Sequence, residues 1–170
     1  MGFKTYTCPI AKSCGGCEWL AVPYPIQLRR KRDEVLRLFA DVLPKGATAQ
    51  QREELVPIHG MDTDGMEPTH YRHKAATPFA PAKRGSIRSG FYARGTHRIV
   101  PCASCIVEAP HAREALLAVA RAAEELHIPA YDEDHGRGLL RHAVVRMGYA
   151  TDEALLTIVT NGRQIARERQ

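Results

Sequence analysis

Three cysteines, Cys8, Cys14 and Cys17, fall within ten residues of one another, and two more, Cys102 and Cys105, follow in the middle of the chain. No other feature restricts the fold so strongly, because thiols brought together by a bound metal or by oxidation tie distant segments to one point. The first group reads C-x5-C-x2-C with Gly15 and Gly16 inside it, and glycine lets a backbone bend sharply enough for several sulfurs to converge. The second is a C-x2-C pair. Residues 1–7 hold no apolar signal segment, which points to the cytoplasm, where thiols stay reduced and clustered cysteines serve as metal ligands. A zinc site would join Cys14 and Cys17 to Cys102 and Cys105 as two knuckles and leave Cys8 idle. An iron–sulfur cluster would use Cys8, Cys14, Cys17 and one later cysteine. Spacing alone leaves both open.

The 170 residues suit one ordinary domain, or one with a small appendage, and can bury a core without disulfides. No apolar run has the length of a membrane span, so we expect no membrane contact. The net charge is +5, and its distribution is informative. From Thr69 to Val107 there is no Asp or Glu, while Arg72, Lys74, Lys83, Arg84, Arg88, Arg94 and Arg98 fall in that window beside His70, His73 and His97. An acid-free basic stretch reads as a surface for a polyanion, or as an ordinary solvated face.

Residues 1–22 form a Cys-rich loop segment. Pro25 at a first helical position and the spacing of the apolar residues after it predict a helix over 25–43. Gly46 to Glu54 reads as a loop and Leu55 to His59 as a short strand. Met61 to Thr69 reads as another loop. Tyr71 to Pro81 reads as a strand interrupted or ended by Pro78. Ser86 to Ala93 and His97 to Pro101 follow as strands joined by turns. Glu108 to His127 has clear helical periodicity in Ala115, Leu116, Val119, Ala122, Ala123 and Leu126. Leu139 to Tyr149 and Glu153 to Thr160 read as a last hairpin turning at Ala150, Thr151 and Asp152. The expected class is α+β: an antiparallel sheet built from hairpins, two main helices and the Cys-rich opening loop, with a central domain over 23–162 and a linker over 163–170.

Several strings in this order resemble the bacterial RNA uracil-5-methyltransferases that carry a [4Fe–4S] cluster. They are Cys8-Pro9 with Cys14-Gly15-Gly16-Cys17, Tyr71-Arg72-His73-Lys74-Ala75, and Gly90 to Val100 with a cysteine shortly after. Leu140-Arg141-His142, Val144-Val145-Arg146 and Leu155 to Asn161 complete the set. The similarity runs over nearly the whole chain, and the nearest subgroup acts on 23S ribosomal RNA. The resemblance implies a [4Fe–4S] cluster on Cys8, Cys14, Cys17 and Cys105. The basic window predicts an RNA face of Arg72, Lys74, Arg88, Arg94 and Arg98, and the resemblance adds Arg141 and His142, whose alternative is pairing within the fold. Tyr71, Phe91 and Tyr92 are available for stacking; Phe91 and Tyr92 alternate across a strand, and we assign Tyr92 to the core rather than to RNA. His73 stands where the family commonly has Asn, and Cys102 is extra.

Family members carry S-adenosylmethionine and a nucleophilic cysteine in a doubly wound α/β domain. This sequence has no glycine-rich strand–turn–helix signature for that cofactor and no alternating β–α series. We therefore expect no Rossmann methyltransferase domain here, hence no catalytic residues and no activity from this chain alone. The expected protein is the cluster- and RNA-binding portion of an RNA uracil-5-methyltransferase, monomeric, with RNA as its partner. A stand-alone zinc-stabilised RNA-binding module is the alternative. A ferredoxin-type electron carrier fits worst, since Cys105 is far from the other ligands and precedes Ile106 rather than proline.

Overall fold

The computed structural model describes residues 4–61, 67–151 and 153–162. The chain forms two compact units, one of residues 1–7 and 18–68, the other of residues 8–17 and 69–170. These divisions fall inside the 1–22 and 23–162 segments read from the sequence. The 163–170 segment and Asp152 of the last turn lie outside the described residues.

The first unit carries helix α1 (Tyr24–Leu38), with proline in its first turn, and helix α2 (Ala49–Leu55). α1 ends short of the expected residue 43, because Val42 and Leu43 both donate to the Phe39 carbonyl in a closing turn before Pro44. α2 replaces an expected loop. Thr48 and Gln51 form a reciprocal capping box there, each side chain accepting from the other's backbone N–H. This helix takes up Leu55, and residues 56–59 belong to no strand, which corrects the strand expected at Leu55 to His59. Neither helix buries a residue, and Leu38, Phe39 and Val42 are exposed.

The second unit is a five-stranded antiparallel sheet with one helix on it. Its strands are β1 (Lys74–Pro81), β2 (Ile87–Tyr92), β3 (Ile99–Pro101), β4 (Leu140–Met147) and β5 (Ala154–Thr160), in the order β3-β2-β1-β4-β5. Helix α3 (Ala112–Glu125) packs Ala112, Leu116, Val119, Ala120 and Ala123 onto Ala75, Phe79, Ala143 and Val145. It starts four residues later than its periodicity suggests, because Val107 to Ala109 pair with Arg72 instead. It ends at a left-handed His127, with His127 donating to Glu124 and Ile128 to Ala123, the paired bonds that satisfy the last carbonyls of a helix.

β1 is the central strand and runs straight through Pro78, contrary to the expected break. A proline there removes a donor from the ladder. Continuing the β1–β2 register would place Pro78 opposite Gly90. The buried Thr77 hydroxyl fills the gap, accepting from the Gly90 N–H and donating to the Gly90 carbonyl, both at 2.9 Å. Gly90 itself is required by the close approach of β3, since a Cβ there would lie 2.0 Å from the Val100 carbonyl oxygen. At the other edge, β5 pairs only with β4 and leaves Leu155, Leu156, Ile158 and Val159 exposed, on both faces of the strand.

Candidate nucleic-acid interface and thiol cluster

All five cysteines belong to the second unit, and all are free thiols. The opening loop is attached to the end of β2 by its backbone. The Gly15 N–H donates to the Tyr92 carbonyl at 3.0 Å, and Cys14 pairs with Ala93 as an isolated antiparallel bridge. Gly15 sits so close that a Cβ would lie 3.0 Å from the Tyr92 oxygen and 3.2 Å from the Arg94 nitrogen. Arg72 closes the other side, donating from Nη2 to the Gly16 carbonyl at 3.0 Å. The Arg72 backbone donates to Val107 and accepts from Ala109, and His70 donates to Ile106. Residues 70–72 thus join the opening loop to the segment just after Cys105.

The thiols differ in character. Burial raises the Cys17 pKa, the Arg72 charge opposes that rise, and negative charge on Cys105, Cys14 and Cys8 adds to it. Cys102 is 4% exposed, donates its thiol proton to the Ser104 carbonyl at 3.0 Å, and is pushed up to about 11, chiefly by burial. Among the described residues, no three Cys, His, Asp or Glu side chains stand close enough to hold a single metal ion. A tetrahedral zinc would need its sulfurs about 3.8 Å apart, from a Zn–S bond near 2.3 Å. A four-iron cube needs a wider cradle, because each ligating sulfur takes a different corner.

The residues expected to face RNA separate into groups. Arg88, Arg98, Arg141 and His142 line one groove of ≈ 470 Å³ on the sheet face opposite α3. Tyr92, His97, Tyr131, Asp132, Glu133 and Asp134 line it too, with Phe79, Ala80, Pro81 and Ile99. Lys74 is exposed and directly opposite Arg146 across β1 and β4, a like-charge pair that an anion would relieve. Arg94 is exposed in the turn between β2 and β3. Arg72 turns toward the thiol loop, as described above.

Tyr92, read from the sequence as the core member of the Phe91–Tyr92 pair, lines the groove instead. Phe91 lies under the Arg113 guanidinium, which is 4.6 Å from its ring centroid. Arg113 is held by Glu108 in a two-pronged buried ion pair whose Nε–Oε2 distance is 2.9 Å. Tyr71 is exposed, and its carbonyl accepts from the Tyr149 hydroxyl.

The groove is built by a bulge and a tight turn. β4 slips register between Leu140 and His142, leaving Arg141 as the extra residue, and its guanidinium stacks over the Tyr131 ring at 4.6 Å. Tyr92 stacks on His97, with centroids 5.1 Å apart, and its hydroxyl lies 3.3 Å from His142 Nε2. The acidic wall is the turn from Asp132 to Arg137, closed by a backbone bridge and by Asp132 accepting from the Asp134 and His135 N–H groups. His97 Nδ1 contacts both Glu133 oxygens at 2.9 Å. Burial, then the neighbouring Arg141 charge, lowers the His142 pKa, so its imidazole stays neutral at neutral pH. Burial raises the Tyr92 phenol. Sequence reasoning missed Tyr131 and the acidic wall, which meet the basic strands only once the turn folds back over the sheet.

No family model matches the chain. An uncharacterized RNA methyltransferase of Staphylococcus aureus (strain COL) is 32% identical over 158 residues, 92% of this chain and 33% of that protein. The chain is related in sequence to RNA methyltransferases. One from Halalkalibacterium halodurans, also uncharacterized, is 32% identical over 163 residues, 95% of this chain and 33% of its own length. The chain thus spans about a third of the curated relatives it matches. The crystal structure of Pyrococcus abyssi tRNA (uracil-54, C5)-methyltransferase in complex with S-adenosyl-L-homocysteine shares the fold. Its TM-score is 0.63 at 21% identity, covering 95% of this chain and 35% of that one. No helix of the described residues is long and apolar enough to cross a membrane.

Proposed function

We propose that this chain is the iron–sulfur and RNA-contacting portion of an S-adenosylmethionine-dependent RNA uracil-5-methyltransferase acting on 23S ribosomal RNA. The observation that carries this reading is the attachment of the Cys8–Cys17 loop to β2 and to Arg72, whose backbone pairs in turn with the segment after Cys105. The thiols of Cys8, Cys14, Cys17 and Cys105 have the donor chemistry that a four-iron cluster needs. The bound cluster would supply four metal–thiolate bonds that fasten the opening loop to the region after β3. Arg72 places a positive charge near Cys17, opposing the rise that burial gives its pKa. Methyl transfer to uracil is redox-neutral, so a structural role is sufficient for the cluster. The transfer itself needs a thiolate to add to C6 and a base to take the C5 proton, and we assign these to the part of the relatives outside the matched third. We further propose a monomeric, cytoplasmic protein.

The test is metal and sulfide analysis of protein purified without oxygen. Iron and sulfide near four each per chain, lost on Cys105→Ser and retained on Cys102→Ser, would support the reading. One zinc and no iron would replace it with the zinc-stabilised module. On the RNA side, each phosphate contact to a single strand adds roughly −0.7 to the log–log salt slope. A flat response would remove the direct RNA face.

A further inference from the structure

We infer that the groove between Tyr92 and Tyr131 takes one unpaired nucleobase of single-stranded RNA, not a phosphate; this rests on the RNA-binding reading above. A phosphate site would gather cations and backbone N–H groups and exclude carboxylates. This groove sets Arg88, Arg98 and Arg141 against Asp132, Glu133 and Asp134. A wall of mixed sign repels a phosphate from one side. It suits a neutral planar ligand that has both N–H groups and carbonyl or ring-nitrogen acceptors on its edge.

The planar surfaces are in place. The Arg141 guanidinium lies over Tyr131, and Tyr92 lies against His97, so the groove offers two stacked pairs of flat groups. Unpaired RNA bases are held between such surfaces. The edge-reading groups are also present. Arg141 Nε is buried and has no hydrogen-bond partner among the described residues, an unmet donor that a base carbonyl or ring nitrogen would satisfy. Asp132 is occupied within its own turn by His135 and two backbone N–H groups. Glu133, steadied by His97, and Asp134 are left to accept from a base N–H or amino group. The volume, ≈ 470 Å³, is within the range of small-ligand sites. The neutral His142 imidazole and the protonated Tyr92 phenol add further uncharged donors and acceptors.

The experiment measures fluorescence anisotropy of the anaerobically purified chain with labelled oligouridine. A second probe is an abasic ribose-phosphate oligomer of equal length and charge. Tyr131→Leu and Arg141→Lys are compared with wild type across salt concentrations, with Tyr131→Phe as the ring-retaining control. We expect oligouridine to bind more tightly than the abasic chain. Tyr131→Leu and Arg141→Lys should each weaken oligouridine about 5- to 100-fold, the loss of one stacked base. Their salt slope should stay that of wild type, and Tyr131→Phe should bind normally. If affinity and salt slope fall together, or if the abasic chain binds equally well, the groove is a phosphate site and the inference fails. Unchanged affinity in both groove variants, with wild type still binding RNA, refutes the inference and leaves the RNA reading standing. No RNA binding by wild type removes both.

Discussion

Removing either half of the buried Glu108–Arg113 pair should destabilise the second unit more than any other single charge change in it. The Glu108 and Arg113 side chains are 1% and 6% exposed, and Arg113 has one further nitrogen, Nη1, already without a partner. Glu108→Gln would leave a guanidinium in the interior with no countercharge, over the Phe91 ring. Stripping one partner from such a pair costs about 3–5 kcal/mol, against a total folding stability of roughly 5–15 kcal/mol for a domain. Arg113→Met keeps the apolar stem and should cost a similar amount by stranding the carboxylate. The double variant removes both charges together and should recover roughly 2–3 kcal/mol relative to the summed single losses. Urea denaturation followed by circular dichroism, on all four proteins at one pH, measures the cycle. The damage should extend beyond the pair, because Glu108 lies between the two residues, Val107 and Ala109, whose backbone pairs with Arg72, next to the segment holding Cys105. Single variants within about 1 kcal/mol of wild type, or an additive double variant, would show that the pair is not the anchor described.

Thr77→Val should cost about 2–4 kcal/mol in the same assay, since the Gly90 N–H and carbonyl each lose a buried partner, whereas Thr77→Ser should stay near wild type. Gly138→Ala should cost more than about 1 kcal/mol, because a Cβ would lie 2.1 Å from the Ala130 carbonyl at φ +99°, and its melting temperature should fall accordingly. His142 has a folded pKa below its unfolded value, so the folded state disfavours the proton that the unfolded chain accepts. Its contribution is complete above about pH 6.5 and declines as pH falls from there toward the folded pKa. Thermal melts from pH 7.5 to 5 should therefore show a steeper decline for wild type than for His142→Gln.

The elements that declared themselves in the sequence were those with long, regular patterns: α3, the β4–β5 hairpin, and α1 apart from its end. α2 carried a readable signal, Thr48 followed by Gln51, but its surroundings are polar and its seven residues have no apolar period. The passage of β1 through Pro78 was not readable, because the compensating hydroxyl acts across two strands. The thiol loop was legible as a cluster of cysteines, while the part Arg72 plays beside it emerged only from the folded backbone. Four of the seven residues expected at RNA share the groove. Its carboxylates, Asp132, Glu133 and Asp134, come from a turn well beyond the acid-free window that ends at Val107, where charge counting along the chain did not look.

The outermost strand has a consequence for handling the molecule. Among the described residues β5 has a neighbour along one edge only and exposed side chains on both faces, so the last hairpin can peel away while the cluster around Leu116 and Val145 stays closed. Its amides should exchange first with deuterium, well below the energy of complete unfolding. Among the described residues that edge presents an unpaired row of backbone groups flanked by leucine, isoleucine and valine, a template for strand addition.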